Sequence, residues 1–360
     1  ELMRNKRGSI VAIEPSTGEI LALVTSPAYD PNLLIGRVRS RNYNMLAADT
    51  LVPLFNRALL AMYPPGSTFK ILGALIGQQE GVITANTSFP CAGVSATPIK
   101  CSHNHHSPLE LVESIEQSCN PYYWNVFRTI IDNPSYGSTR EAFEKWREYL
   151  ESFNLGSTFG SDLLIERGGN VPRPEYYDRF FGKNVWRSMT IRSLSIGQGE
   201  MLVTPLQLAN VAAIVANKGH YFDPHLMKAT SNDTAFVQNT TERHQTMVEP
   251  KYFDPVISGM HKVYRGSHGT ARWYAPENIE MCGKTGTVQN PHGENHSMFI
   301  AFAPKDNPRI AIAVIVENGG YGSRFGVPIA TLMMQKYLLG DFKKPWFEQR
   351  MLETNLIAGN

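Results

Sequence analysis

Apolar residues along this chain change period several times, and each change marks an element. Ser9-Ile10-Val11-Ala12-Ile13 and Glu19-Ile20-Leu21-Ala22-Leu23-Val24 are β-rich runs on either side of Pro15-Ser16-Thr17-Gly18. That intervening tetrapeptide has turn chemistry, so the pair predicts a hairpin. A polar stretch follows over about 27–56. Pro64-Pro65-Gly66 stops one segment, and Phe69, Leu72, Leu75 and Ile76 then recur at helical spacing. This places Ser67 at a helix N-terminus, with Gly81 closing the helix. Residues 91–107 read as loop, 108–118 and 138–153 as helices, and 167–186 as a stretch with little regular pattern. Pro205 begins a buried helix over 205–217. Residues 284–288 are β-compatible, 298–303 and 310–317 form a plausible antiparallel pair, and 328–339 read as a final amphipathic helix.

Strands at both ends with helices between them predict an α/β (α+β) fold. One antiparallel sheet is assembled from the two chain ends, with a helical insertion. Composition agrees with a globular enzyme: 42% hydrophobic and 18% charged over 360 residues. Net charge is +2, which argues against a nucleic-acid partner. No run of apolar residues is long enough to cross a membrane. The chain starts at Glu1-Leu2-Met3-Arg4, without a signal peptide, and reads as a fragment or processed chain.

Three short motifs stand in order: Ser67-Thr68-Phe69-Lys70, Ser118-Cys119-Asn120 and Lys284-Thr285-Gly286-Thr287. A serine hydroxyl needs a base to accept its proton. Spacing of three on a helix puts Lys70 on the same face as Ser67. Burial and a neighbouring cation such as Lys284 would lower the Lys70 pKa and make it that base. Ser118 can relay a proton to a leaving nitrogen, and Asn120 can hold a substrate amide. Thr285 and Thr287 offer hydroxyls to a substrate carboxylate, Lys284 adds positive charge, and Gly286 lets a substrate backbone approach the strand. The Ser67 and Thr287 backbone N–H groups would form an oxyanion hole. Any one motif alone is weak; their order and contexts make the set specific to serine acyl transfer.

Tyr63-Pro64-Pro65-Gly66-Ser67-Thr68-Phe69-Lys70 resembles the active-site segment of high-molecular-mass penicillin-binding proteins, as does Gly197-Gln198-Gly199 followed by Thr204-Pro205-Leu206-Gln207-Leu208-Ala209. Arg7-Gly8-Ser9-Ile10-Val11, Ser26-Pro27-Ala28-Tyr29-Asp30-Pro31-Asn32, Ala303-Pro304 and Val316-Glu317-Asn318-Gly319-Gly320 resemble the penicillin-binding protein 2 group, the class B enzymes of cell elongation. The resemblance implies the transpeptidase fold shared with serine β-lactamases. It implies a domain over 1–340 with a helical subdomain at about 68–195, and a C-terminal tail over 341–360. It also implies the reaction. Ser67 is acylated by a D-Ala-D-Ala stem peptide of peptidoglycan, D-Ala leaves, and an amine of a neighbouring stem takes the acyl group. β-Lactam antibiotics trap the same serine, and the chemistry needs no cofactor. In that family a membrane anchor precedes the domain, which works on the periplasmic face of the inner membrane beside a cell-wall polymerase of the elongation complex. A serine β-lactamase, a D,D-carboxypeptidase and a non-enzymatic β-lactam sensor are the competing readings.

Two further features stand outside these motifs. Three of the four cysteines, Cys91, Cys101 and Cys119, lie among His103, His105 and His106. Three thiolates and one imidazole suit tetrahedral Zn²⁺, and a metal would order a loop poor in apolar residues. Some members of the resembled group carry zinc on two aspartates, a histidine and a cysteine in this region. Aligned from Ser67, Cys91, Cys101, His106 and Cys119 fall at or near those positions. A Cys91–Cys101 disulfide with Cys119 free, or unrelated buried thiols, are the alternatives. Cys282 reads as a core thiol. The aromatic stretch Tyr176, Tyr177, Phe180, Phe181 and Trp186 predicts either a satellite core or a wall of the substrate site.

Overall fold

A computed structural model of the chain describes residues 1–160, 162–163, 165–228, 242–341 and 345–357. The hairpin is present as β1 (Gly8–Ile13) and β2 (Ile20–Ser26). Helices α1 (Arg39–Ala48), α2 (Arg57–Leu60) and α3 (Lys70–Gln79) follow, then α4 (Leu111–Glu116), α5 (Asn120–Ile131), α6 (Thr139–Ser152), α7 (Pro174–Phe181) and α8 (Pro205–Ala216). A two-stranded ribbon, β3 (His220–Tyr221) and β4 (His244–Gln245), precedes α9 (Phe253–Arg265). The C-terminal part contains β5 (Cys282–Val288), β6 (His296–Ala303), β7 (Ile310–Val316), α10 (Gly326–Leu339) and α11 (Pro345–Glu353).

The main sheet runs β2-β1-β7-β6-β5, every neighbour antiparallel. Strand β1 pairs with β7 from Gly8↔Val316 to Ile13↔Ala311, so the two chain ends are joined in one sheet, as the pattern implied. All seven residues of Ile-Ala-Ile-Ala-Val-Ile-Val in β7 are buried, although side chains alternate between faces. A strand buried on both faces reads as a continuous apolar run and gives no period of two. Helices α8, α9 and α10 pack on this sheet, and all twelve residues of α8 are buried. Thr204 and Gln207 close a capping box at the start of α8, with Pro205 in its first turn.

Several expectations need correction. Helix α5 begins one residue after Cys119, where no helix was expected, and α9 was also unmarked. Residues 167–186 contain α7, started by Pro174. Within the C-terminal tail, α11 is held by the other terminus: buried Lys6 donates from Nζ to the carbonyls of Met351 and Thr354, the latter at 3.0 Å. These are the free carbonyls at a helix C-terminus, where a cation is favoured.

The aromatic stretch divides. Tyr177 and Trp186 are buried, with ring centroids 5.5 and 5.4 Å from Phe143, and Phe143 stacks on Trp146. Trp146 in turn meets Phe69, next to Lys70 on the Ser67 turn. Tyr176, Phe180 and Phe181 face solvent. This is a core under a loop, and none of its members lines the cleft described below.

One ion-pair network joins the sheet to the turn before Ser67. Glu317, just past β7, pairs with Arg7 at 3.1 Å and Arg57 at 3.0 Å, and accepts from the Tyr63 hydroxyl at 2.8 Å. The Arg57 side chain is only 2% exposed. A buried cation deprived of its anion is strongly destabilising. Glu317→Gln should therefore lower stability by roughly 3 kcal/mol. Thermal or urea unfolding measures it; a loss below about 1 kcal/mol would mean that water replaces the carboxylate.

Candidate active site

The turn that presents Ser67 is built on close backbone approaches. Gly66 has φ +54°, and a Cβ there would stand 2.9 Å from the Thr287 carbonyl oxygen. Its N–H donates to Gly197 O at 2.7 Å, and a Cβ on Gly197 would lie 2.4 Å from Gly66 O. Only glycines allow the serine turn, the Gly197-Gln198-Gly199 loop and β5 to meet this way. Residues Gly66–Phe69 form a 3₁₀ turn that runs directly into α3, with the Thr68 hydroxyl donating to Pro65 O at 2.6 Å. Ser67 is half-exposed at the start, while Lys70 is fully buried.

Lys70 Nζ donates to Ser118 O at 2.7 Å, Ser118 Oγ at 3.2 Å and Asn120 Oδ1 at 2.5 Å. Lys284, also fully buried, donates to Ser118 Oγ at 2.7 Å and to Thr285 O at 3.1 Å. Ser118 Oγ thus accepts from two ammonium groups. It sits between α4 and α5 at φ +56°, a left-handed conformation that a serine adopts at a cost of about 1–3 kcal/mol. Burial pushes Lys70 down to about 8, partly offset by the nearby cysteine sulfurs. Burial and the charge of Lys70 push Lys284 well below the usual lysine range. Two like charges around one hydroxyl in a low-dielectric site favour loss of a proton from the pair.

Ser67, Ser118, Asn120, Thr285 and Thr287 line one cleft of about 590 Å³. Gln198, whose amide donates to Thr287 O at 3.3 Å, lines it too. So does Thr270, whose hydroxyl meets that of Thr285 at 3.0 Å. Sequence reasoning assigned neither of them a role; Gln198 lay inside a quoted motif, and Thr270 carried no signal at all. Gly286 serves the protein's own packing: a Cβ there would stand 3.0 Å from Thr68 Cγ2 and 3.2 Å from Met298 Cβ. Asn120 has both ends engaged, Oδ1 by Lys70 and Nδ2 by Lys100 O at 2.6 Å, so a substrate amide must displace one of these.

Behind this cleft, the Sγ atoms of Cys91, Cys101 and Cys119 and one nitrogen of His105 all lie within 4.8 Å of one another. The Cys91–Cys101 sulfurs are 3.6 Å apart, too far for a disulfide bond of about 2.05 Å. Cys101 and Cys119 are 3.8 Å apart, and His105 Nε2 is 3.4 Å from Cys101 Sγ. The histidine is His105 and not the expected His106. His106 turns away to Glu113 at 3.4 Å and Gln117 at 3.4 Å. His105 Nδ1 donates to His106 O at 2.8 Å. That leaves Nε2 with its lone pair toward the sulfurs, the tautomer a metal ligand requires. Cys119, the middle residue of the second motif, is fully buried on this side. Backbone N–H groups donate to sulfur from Gly93 to Cys91 at 3.3 Å and from Asn120 to Cys101 at 3.2 Å. The hydrogen bond with Cys119 and the Asn120 N–H draw the Cys101 thiol down to about 4, while that same hydrogen bond and then burial push Cys119 up, and burial pushes Cys91 up. Cys282 is a buried core thiol directed at Ile257 O.

Residues 8–335 match the penicillin binding protein transpeptidase domain. The chain belongs to that family. It is 32% identical to the peptidoglycan D,D-transpeptidase MrdA of Escherichia coli, over 94% of this chain and 56% of that protein. It thus spans little more than half the length of such curated relatives. The crystal structure of Pseudomonas aeruginosa PBP2 superposes with a TM-score of 0.82 at 33% identity, covering 96% of this chain and 74% of that one. Helicobacter pylori PBP2, solved in complex with MreC, superposes with a TM-score of 0.78 at 28% identity, over 94% and 61% of the respective chains. The described residues include no helix long and apolar enough to cross a membrane.

The lysine geometry sets a pH profile. Lys70 serves as a base only when neutral, and it loses its proton as pH rises through about 8. The rate at which a β-lactam acylates Ser67 should climb about tenfold per pH unit below that value and level off above it. Lys70→Arg should abolish the climb and lower the rate by orders of magnitude, since a guanidinium keeps its proton. A flat profile from about pH 6 to about pH 9 would assign the base elsewhere.

Proposed function

We propose that this chain is the catalytic domain of a peptidoglycan D,D-transpeptidase that works through a serine acyl-enzyme. The observation that carries the proposal is Ser118 Oγ, held between Lys70 Nζ and Lys284 Nζ in the cleft lined by Ser67. The chemistry follows from that chain of groups. Neutral Lys70 takes the Ser67 proton as Oγ attacks the carbonyl of the D-Ala-D-Ala bond. The backbone N–H groups of Ser67 and Thr287 hold the oxyanion. Ser118 passes the proton to the departing D-Ala nitrogen, which cannot leave as an anion. Lys284, Thr285 and Thr287 hold the terminal carboxylate, and Asn120 the peptide amide. An amine of a neighbouring stem then attacks the acyl-enzyme. The name of the E. coli relative supports the substrate class. In the whole protein this domain would follow a membrane anchor and act on the periplasmic face of the inner membrane. There it would work beside a cell-wall polymerase, as the peptidoglycan synthase complex and the MreC complex among its structural relatives suggest.

Mass spectrometry after incubation with penicillin tests this reading. One full-mass adduct is expected on Ser67, persistent for many minutes and absent from Ser67→Ala. Rapid regeneration of free enzyme would point to a β-lactamase. A stable adduct without D-Ala release from a D-Ala-D-Ala donor would point to a sensor.

The proposed function includes a structural zinc ion on Cys91, Cys101, His105 and Cys119. A divalent cation would neutralise three crowded sulfurs that cannot all ionise unaided. Bound there, it would tie the 91–107 loop to the segment carrying Ser118 and Asn120. Protein purified without chelator should contain about one zinc per chain. Cys101→Ser and His105→Ala should lower that content and increase protease cleavage within 91–120, whereas His106→Ala should retain the metal. Equal zinc loss in both histidine variants, or metal-free protein with an ordered loop, would refute the assignment.

A further inference from the structure

A second hollow of about 670 Å³ opens beside the cleft and shares His103, Thr270 and Ser323 with it. Its charged wall is assembled from three distant parts of the chain: Arg272 after α9, Arg324 before α10, and Arg350 on α11. No aspartate or glutamate lines it. None of the three arginines has a carboxylate partner among the described residues, although seven ion pairs elsewhere involve an arginine. Glu113 is taken up by His106 at the rim, and Glu116, buried behind the wall, accepts from the backbone N–H of His268 at 2.9 Å.

The guanidinium groups are held by neutral partners. Arg350 Nη2 donates to Arg324 O at 2.9 Å and to the Tyr274 hydroxyl at 3.3 Å. Arg272 donates to Ser267 O and lies 4.8 Å over the Trp273 ring, and Arg324 lies 5.4 Å over Phe325. These contacts fix position without cancelling charge. The whole chain is nearly balanced at +2, so an acid-free concavity with three arginines is a local sorting of charge. Such a hollow concentrates anions, and a guanidinium matches a carboxylate with two parallel hydrogen bonds. Trp273, 73% exposed on the same wall, offers a ring face to a peptide.

We propose that this hollow binds the free carboxylate of the acceptor stem peptide and so aims its amine at the Ser67 acyl group. The inference rests on the transpeptidase reading above. The donor's terminal carboxylate already has a place at Lys284, Thr285 and Thr287, and a neighbouring stem brings a carboxylate of its own. In the transfer the acceptor nitrogen bonds to the acyl carbon as the bond from that carbon to Ser67 Oγ breaks. The amine proton ends on Oγ, returning free serine.

The test uses the full chain and an ester donor ending in D-Ala-D-lactate, with an amine dipeptide as acceptor, once with a free C-terminal carboxylate and once as the C-terminal amide. The carboxylate form should show an acceptor KM at least about tenfold lower. Arg324→Gln and Arg350→Gln should each shrink that ratio, and the double substitution should bring it near one. The unsubstituted protein alone can overturn the idea: a penicillin adduct on Ser67 together with equal KM for the two acceptors refutes the pocket. Absence of any Ser67 adduct instead refutes the underlying activity. Inorganic pyrophosphate competing with the acceptor, without any carboxylate preference, would assign the hollow to a phosphate group and overturn the peptide reading.

Discussion

Two buried ammonium groups, Lys70 and Lys284, share a single serine hydroxyl, and the rest of the structure is arranged to hold them there. An ion of that size taken out of water loses several kcal/mol of solvation. Among the described residues no carboxylate pairs with either; what the lysines receive is a set of neutral oxygens from Ser118, Asn120 and Thr285. Neutral acceptors lower the penalty without removing it, so the charge is weakly held and a proton leaves readily. A carboxylate in their place would keep both lysines charged.

That constraint explains the conformation of the surrounding backbone. Ser118 must point its hydroxyl at two lysines from a junction between helices, and it does so at positive φ. Gly66 and Gly197 let the serine turn press against β5, which carries Lys284. Glu317 holds Arg7, Arg57 and Tyr63 together at the opposite side of that turn. The first strand, the Ser67 turn and the end of β7 are therefore linked by one carboxylate. The cysteine cluster is a second contact point. Its amide donor from Asn120 and its member Cys119 lie in the segment that positions Ser118.

The cleft and the arginine hollow meet at Thr270, whose hydroxyl touches Thr285 on the strand of the third motif. The strand of the third motif thus lies at the junction of the two hollows. The C-terminal helix takes part through Arg350, and it is fastened by Lys6 from the other chain end. The closure of N- and C-termini is in this way connected to the shape of the arginine hollow.

The sequence by itself determined the elements whose periodicity is local and the residues whose chemistry is local. The hairpin, α3, α8 and the three motifs were legible because turn residues, caps and one-turn spacing act within a few positions. It also singled out Cys91, Cys101 and Cys119 as a candidate group beside a disulfide or unrelated thiols, since so few cysteines cluster so tightly. Only the tertiary structure decided which histidine joins them. His105 and His106 are adjacent and chemically identical, and the choice falls to Glu113 and Gln117, which claim His106. Helices α5 and α9 went unmarked although their buried apolar residues recur at helical spacing, as Val256, Ile257, Met260, Val263 and Tyr264 do in α9, so that signal lay in the sequence. The roles of Thr270, Gln198 and the three arginines were decided only by the tertiary structure. Each lies far along the chain from the groups it meets, and a hydroxyl or a guanidinium carries no sign in sequence of what will face it across a cleft.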